Sequence, residues 1–132
     1  MGKGGKSSER EEVGKRGEDI ACRYLMSKGH TILERNWRSR HLEIDIISFD
    51  RDGIHFVEVK SRKVPMEAEP EKSVTLTKQK RIAAAAAAYL HSDGISNIAN
   101  DAEVLFDIIA VTFDGDKTEI AYFRQAYTPI YV

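Results

Sequence analysis

Residues 42–60 read L-E-I-D-I-I-S-F-D-R-D-G-I-H-F-V-E-V-K, and no other stretch restricts the fold of this chain as strongly. Apolar Leu42, Ile44 and Ile46 alternate with Glu43 and Asp45, the period-2 signature of a strand, and Ile54 to Lys60 has the same β-branched and aromatic bias. Asp50-Arg51-Asp52-Gly53 between them is a turn signal, so the two segments predict an antiparallel hairpin. Pairing Phe49 with Ile54 sets Ile47 opposite Phe56, Asp45 opposite Glu58 and Glu43 opposite Lys60. The companion face pairs Ile46 with Val57 and Ile44 with Val59. A slip of one residue mixes the faces, so the apolar pattern itself fixes the parity.

That register brings two like charges together. Cβ atoms of a cross-strand pair lie about 5 Å apart, where two ionised carboxylates repel by about 3 kcal/mol at an effective dielectric of ~20. Folding alone does not select such a pair. A divalent cation reverses the sign, because Mg²⁺ and Mn²⁺ prefer carboxylate oxygens and keep waters for reaction with a phosphate. Lys60 shares the parity of Glu58, where an ammonium can orient the attacking water and offset charge developing on phosphorus. The plain alternative is a solvated strand face, with Glu43 and Lys60 as a surface ion pair of little energetic value.

A chain of 132 residues, 42% apolar and 31% charged, is sized and composed for one globular domain. Residues 1–6 read as a flexible tail and residues 7–132 as a single domain. There is no apolar run near the roughly 20 residues of a membrane span and no signal-like apolar core at the start, so a cytoplasmic protein with no membrane partner is expected. The single cysteine, Cys22, fits that compartment and reads as a small buried hydrophobe. His30, His41, His55 and His91 are scattered without metal-finger spacing, which gives a structural zinc site little support.

Net charge is −1, but residues 1–90 carry 18 Lys/Arg against 14 Asp/Glu and residues 91–132 carry 2 against 7. The basic stretch through Lys15, Arg16, Arg23, Lys28, Arg35, Arg38 and Arg40 could follow a phosphate backbone or be a solvated surface. A helix is predicted from near Ser8, where Ser8 and Glu11 have capping-box spacing and Val13, Gly17, Ile20, Ala21, Tyr24 and Leu25 share one stripe. Gly29 ends it. A strand follows from Thr31 to about Trp37. A second helix is predicted with Thr75 or Thr77 as its cap and Gly94 as its stop; its run Ala83 to Ala88 permits close packing on a sheet.

G-K-R-G-E-D-I-A at 14–21, N-W-R at 36–38, E-I-D-I-I at 43–47, F-V-E-V-K-S-R at 56–62, T-L-T-K-Q-K-R-I at 75–82 and F-D-I-I-A-V at 106–111 occur in this order. Together they resemble the YraN family of predicted bacterial endonucleases, which is similar to Holliday junction resolvases and restriction endonucleases of the PD-(D/E)xK type. The resemblance implies an α/β fold: a restriction endonuclease-like α-β-β-β-α-β core with a central mixed sheet flanked by helices. It places Asp45, Glu58 and Lys60 on the family's metal-binding acids and catalytic lysine. Leu42 stands where the family usually has glycine, a difference that bears on close approach of nucleic acid.

With that likeness, Glu18 at the edge of the first helix joins the site as a metal-side acid, and Gln79 in the first turn of the second helix adjoins it; for each the alternative is a surface side chain. The expected activity is a Mg²⁺- or Mn²⁺-dependent nuclease acting on DNA, with branched or repair intermediates as a substrate class. Asp45, Glu58, the Val59 carbonyl and Glu18 are the expected metal ligands. Lys15, Arg16, Arg35, Arg38, Arg40, Arg62, Lys78 and Lys80 are the expected DNA contacts, Lys78 and Lys80 at a helix N-terminus that suits a phosphate. A homodimer is a further expectation. The rival class is a nucleic-acid-binding accessory module that keeps the fold without cutting, and a third reading is a structural domain with a charged edge. Residues 61–73, with Pro65 and Pro70, read as a mobile loop beside Lys60, His41 as a solvated strand end, Trp37 as packing, and Asp107 as bonded to nearby backbone.

Overall fold

A computed structural model describes residues 5–64, 74–92, 95 and 101–129. Its elements run α1 (Gly5–Ser27), β1 (Thr31–Ser39), β2 (Leu42–Asp50), β3 (Gly53–Val64), α2 (Leu76–Leu90), β4 (Val104–Asp114) and β5 (Lys117–Tyr127). The five strands form one sheet in sequence order, antiparallel except for the β3–β4 pair. α2 lies in the β3–β4 connection, as a parallel pair requires a crossover. The result is an α/β fold with a mixed central sheet flanked by helices, consistent with a restriction endonuclease-like core, plus one strand beyond the expected α-β-β-β-α-β order.

Each face of the sheet is closed by one helix. Ala21, Cys22 and Leu25 of α1 are buried with Ile46, Val57, Ile109, Val111 and Phe113. Ile82, Ala85, Ala86 and Tyr89 of α2 are buried with Ile44, Ile47, Phe56 and Ile108, and Trp37 packs edge-on against Tyr89 at 5.2 Å. The stripe predicted for α1 is the face that packs. Gly17 sits on it for a steric reason: a Cβ there would fall 1.8 Å from Ser61 Oγ on β3. Gly29, at φ +95°, turns the chain out of α1, with the His30 N–H donating to the Leu25 carbonyl.

Several boundaries differ from the sequence reading. α1 begins at Gly5, ahead of the expected Ser8 cap, since no proline or β-branched residue interrupts that turn; residues 1–4 of the expected tail lie outside the described residues. α2 stops at Leu90 and not at Gly94, because Ser92 turns back and both its N–H and its hydroxyl donate to the Tyr89 carbonyl. Thr75 is its cap, its hydroxyl accepting from the Lys78 N–H. β3 continues through Lys60 to Val64, so Ser61 to Val64 are strand and not loop, while residues 65–73 and Gly94 lie outside the described residues.

The hairpin register holds at Phe49–Ile54, Ile47–Phe56 and Ile46–Val57, and the ladder ends there. Beyond it β2 and β3 part. The Val59 N–H donates to Asp45 Oδ2 at 2.8 Å, so a side chain takes the hydrogen bond that a flush strand would have given to backbone. The expected pairs Asp45–Glu58, Glu43–Lys60 and Ile44–Val59 are therefore not ladder partners. Ile44 turns to the α2 core, and Glu43 lies opposite Arg38 of β1, their side chains 3.6 Å apart.

Candidate metal centre and a second polar cluster

Where the strands part, a cleft of about 620 Å³ opens under α1. Glu18, Asp45, Glu58 and Val59 line it together with Arg10, Gly14 and Ser61. Arg10, Gly14 and Glu18 are spaced by four, so one face of α1 forms the wall. Glu18 is held by neighbours: its Oε1 accepts from Asn36 Nδ2 at 3.0 Å, and Asn36 adopts a left-handed φ of 51° that asparagine tolerates. The acids expected to form one site thus share one cavity, although α1, β2 and β3 supply them separately.

Asp45 records the electrostatic consequence. Burial, with Glu58, Glu18 and Glu43 nearby, pushes its carboxyl from the ordinary 3.8 up to about 7, against the Val59 N–H bond that favours ionisation. Glu58 has a different neighbour. Asp45 and Glu58 also line a second cleft on the α2 side, where Lys78 Nζ lies 2.6 Å from Glu58 Oε2. Burial opposes the Lys78 charge, but the bond to Glu58 holds its pKa above the ordinary value. The helix N-terminus therefore delivers a lysine to the acids; the neighbouring Gln79 instead donates from Nε2 to the Val74 carbonyl and lines neither cleft. Lys60 is half-buried beside Ala110, one residue past Val59.

The expected DNA contacts divide. Arg35 is committed within the fold, 2.7 Å from Asp19 and 3.9 Å from Glu18, and Arg38 faces Glu43. Arg16 lies over the Phe113 ring at 4.4 Å, and Arg62 is half-buried on β3. Lys15, Arg40 and Lys80 are exposed. Lys78 and Arg81 line the α2-side cleft with His41, so a basic rim borders the acids there. Arg81 stands in the T-L-T-K-Q-K-R-I motif beside Lys78 and Lys80, whereas Arg10, on the wall of the α1-side cleft, lies outside every motif; its spacing from Gly14 and Glu18 is the signal that could have found it.

The scattered histidines prove to be only partly scattered. His30 and His55 converge with rings 4.5 Å apart, on either side of Asp50. His55 is fully buried; Nδ1 donates to Asp107 Oδ2 at 2.7 Å and Nε2 bonds Asp50 Oδ1 at 2.8 Å. Asp107, also fully buried, accepts further bonds from the Tyr122 hydroxyl at 2.5 Å and the Gln125 N–H at 2.9 Å, the latter at a bulge in β5. Burial works against an imidazolium at His55, but the bonds to Asp107 and Asp50 outweigh it and raise its pKa, whereas burial and the nearby His55 lower that of His30. Among the described residues, this is the one set of three histidine, cysteine or carboxylate ligand atoms within 4.8 Å of one another. Glu18, Asp45 and Glu58 share a cleft without closing to that spacing.

No helix among the described residues is long and apolar enough to cross a membrane. The model of the uncharacterised protein family UPF0102 matches residues 17–111, which span Glu18, Asp45, Glu58 and Val59 of the cleft and His30, Asp50, His55 and Asp107 of the second cluster. A UPF0102 protein of Bacteroides thetaiotaomicron is 38% identical over 92% of this chain and 97% of its own length. One from Rhodococcus jostii is 38% identical over 87% and 95%, and one from Chlorobaculum tepidum 50% identical over 61% and 62%. By motif order, family match and these relatives, the chain belongs to UPF0102, the family its motifs resemble under the name YraN.

Proposed function

We propose that this protein is a divalent-metal-dependent nuclease acting on DNA, with Glu18, Asp45, Glu58 and Val59 forming the metal side of its active site. The observation that carries the reading is the carboxyl of Asp45, held at about 7 by burial and by neighbouring carboxylates in a cleft open to a ligand. A fold tolerates that arrangement more readily where a cation offsets it, and an all-oxygen donor set fits Mg²⁺ or Mn²⁺. When bound, such an ion supplies Lewis-acid activation of water and neutralises charge at phosphate.

The chain's own residues have separable tasks. The Val59 N–H fixes the Asp45 carboxylate, and Asn36 fixes Glu18, so two acids are oriented before any ligand arrives. Lys60, following Val59 on the same strand, is assigned to the attacking water. Lys78 and Arg81 on the α2 side are assigned to the phosphates flanking the scissile bond, and exposed Lys15, Arg40 and Lys80 to the backbone beyond. Lys78, paired with Glu58 at 2.6 Å, would be released to pair with phosphate if Glu58 held a cation. A homodimer belongs to this reading, since two copies would offer two clefts to a branched substrate.

The Lys78–Glu58 contact also favours one second reading, a binding module in which the lysine permanently neutralises the acid. A cleavage panel on linear, nicked, flapped and four-way DNA, with Mg²⁺, Mn²⁺ or EDTA, separates the two. Cutting that requires a divalent ion and is abolished by Asp45→Ala, Glu58→Ala and Lys60→Ala, with circular dichroism unchanged, supports the nuclease. Binding without cutting in every metal establishes the module.

A further inference from the structure

We propose that His30, Asp50 and His55 form a site for one divalent transition-metal ion of the zinc class, at the opposite end of the β2–β3 hairpin from the carboxylate cleft. The donor set is two imidazoles and a carboxylate, a combination suited to Zn²⁺ and poorly suited to Mg²⁺. Asp45 and Asp50 are five residues apart on one strand, or roughly 17 Å, so the two sites do not share ligands.

Three features are those of a metal site and exceed what packing needs. First, the outer nitrogens are committed: His30 Nδ1 is bonded to Ser48 Oγ at 2.9 Å and His55 Nδ1 to Asp107 Oδ2 at 2.7 Å. Both Nε2 atoms are thereby turned to Asp50, and a histidine braced from behind by a carboxylate is the usual arrangement around zinc. Second, the spacing fits. His30 Nε2 lies 3.4 Å from Asp50 Oδ2 and His55 Nε2 lies 2.8 Å from Asp50 Oδ1, while tetrahedral ligands at about 2.0 Å from zinc stand roughly 3.3 Å from one another. Shifts of about half an ångström suffice.

Third, the charges ask for a cation. Asp50 and Asp107 both bond His55, Asp50 also faces His30 Nε2 at 3.4 Å, and Arg124 is spent on Asp52 at 2.6 Å, so no Lys or Arg among these contacts reaches the two carboxylates. Zn²⁺ taking the place of the proton between His55 Nε2 and Asp50 balances the two carboxylates. Asp50 also lines a surface cleft with Asp52, Asp101 and Glu103, an acidic approach for a cation. The ligands come from the exit of α1, the end of β2 and the start of β3, so the ion acts as a brace between helix and hairpin, with water completing the coordination.

The experiment uses the full chain carrying Asp45→Asn and Glu58→Gln, which silences the carboxylate cleft and makes the result independent of the nuclease reading. Zn²⁺ is titrated by calorimetry, and Co²⁺ by the visible absorption of tetrahedral cobalt. One ion per chain, a tetrahedral cobalt spectrum, and at least a tenfold loss of affinity in His30→Gln, Asp50→Asn and His55→Gln are expected. At free Zn²⁺ a hundredfold above the dissociation constant, the melting temperature should rise by roughly 7–11 °C. His30→Gln and Asp50→Asn keep the test intact should His55→Gln fail to fold. The site is refuted if the background protein binds no Zn²⁺, if cobalt gives no tetrahedral spectrum, or if the ligand variants bind as the background does; the cluster is then a metal-free ion-pair network.

Discussion

Asp45→Asn removes one charge from the carboxylate cleft while keeping side-chain shape and an oxygen that accepts the Val59 N–H. Asp45 titrates near 7 in the folded chain against an ordinary 3.8, because burial and Glu58 disfavour its ionised form. Between these values the folded state holds a proton that the unfolded state has released, so wild-type stability falls as pH rises from about 4 to about 7 and the loss is complete above that. At about 1.4 kcal/mol per pH unit the span sets an upper bound of about 4 kcal/mol, and halving it for relaxation leaves about 2 kcal/mol. For a domain of this size that corresponds to roughly 5–8 °C. Melting curves in EDTA at pH 5, 6, 7 and 8 should show the two proteins close together at pH 5 and the variant melting higher at pH 8. Addition of ~10 mM Mg²⁺ to a site with a dissociation constant of ~1 mM should then stabilise only the wild type, by about 1.4 kcal/mol. A gap that does not change with pH, a variant that melts lower throughout, or an equal response to Mg²⁺ would refute the paired-carboxylate reasoning.

Gly17→Ala should destabilise by roughly 1–3 kcal/mol in urea, since its Cβ overlaps Ser61 Oγ, and Ser61→Gly in the same chain should recover part of the loss. Asp107→Ala should cost about 3 kcal/mol or more by thermal melting, because it strips a fully buried acceptor from His55, Tyr122 and the Gln125 N–H at once. Arg40→Glu with Lys80→Glu should weaken DNA binding and lower the slope of log affinity against log salt by about one for each lost phosphate contact. Lys117→Glu in the acidic half should leave that slope unchanged.

The parity of the hairpin was legible because apolar residues mark it on both strands, and it held from Phe49–Ile54 to Ile46–Val57. Its end was not, since a side chain replacing a backbone acceptor, as Asp45 does for Val59, leaves no trace in hydrophobic period. The same principle hid β5. That strand is mostly exposed, so no alternation betrays it, although its bulge is held by Asp107, whose bond to nearby backbone was expected. Glu18 lines the cleft with the acids, as its helical edge suggested, whereas in the first turn of α2 it is Lys78 and not Gln79 that reaches Glu58, because a one-residue difference rotates a side chain by about 100°. His30, Asp50, His55 and Asp107 are brought together only by strand pairing, and spacing along the chain could not have announced them.

The parallel pairing of β3 with β4 also has a kinetic side. Ile54 meets Val104, 50 residues later, whereas β1, β2 and β3 join through short turns. Closing the long loop costs chain entropy before its contacts return anything, so the three-stranded meander should form early and the β3–β4 seam late. During synthesis, Asp45 and Glu58 would then meet on a nascent hairpin still open to water on its β4 side, where like charges repel weakly. The strain of the cleft would arise only as β4 docks. Substitutions such as Ile109→Val on β4 should accordingly speed unfolding while leaving the folding rate nearly unchanged, and Ile46→Val on β2 should slow folding; the opposite pattern in stopped-flow kinetics would place the seam first.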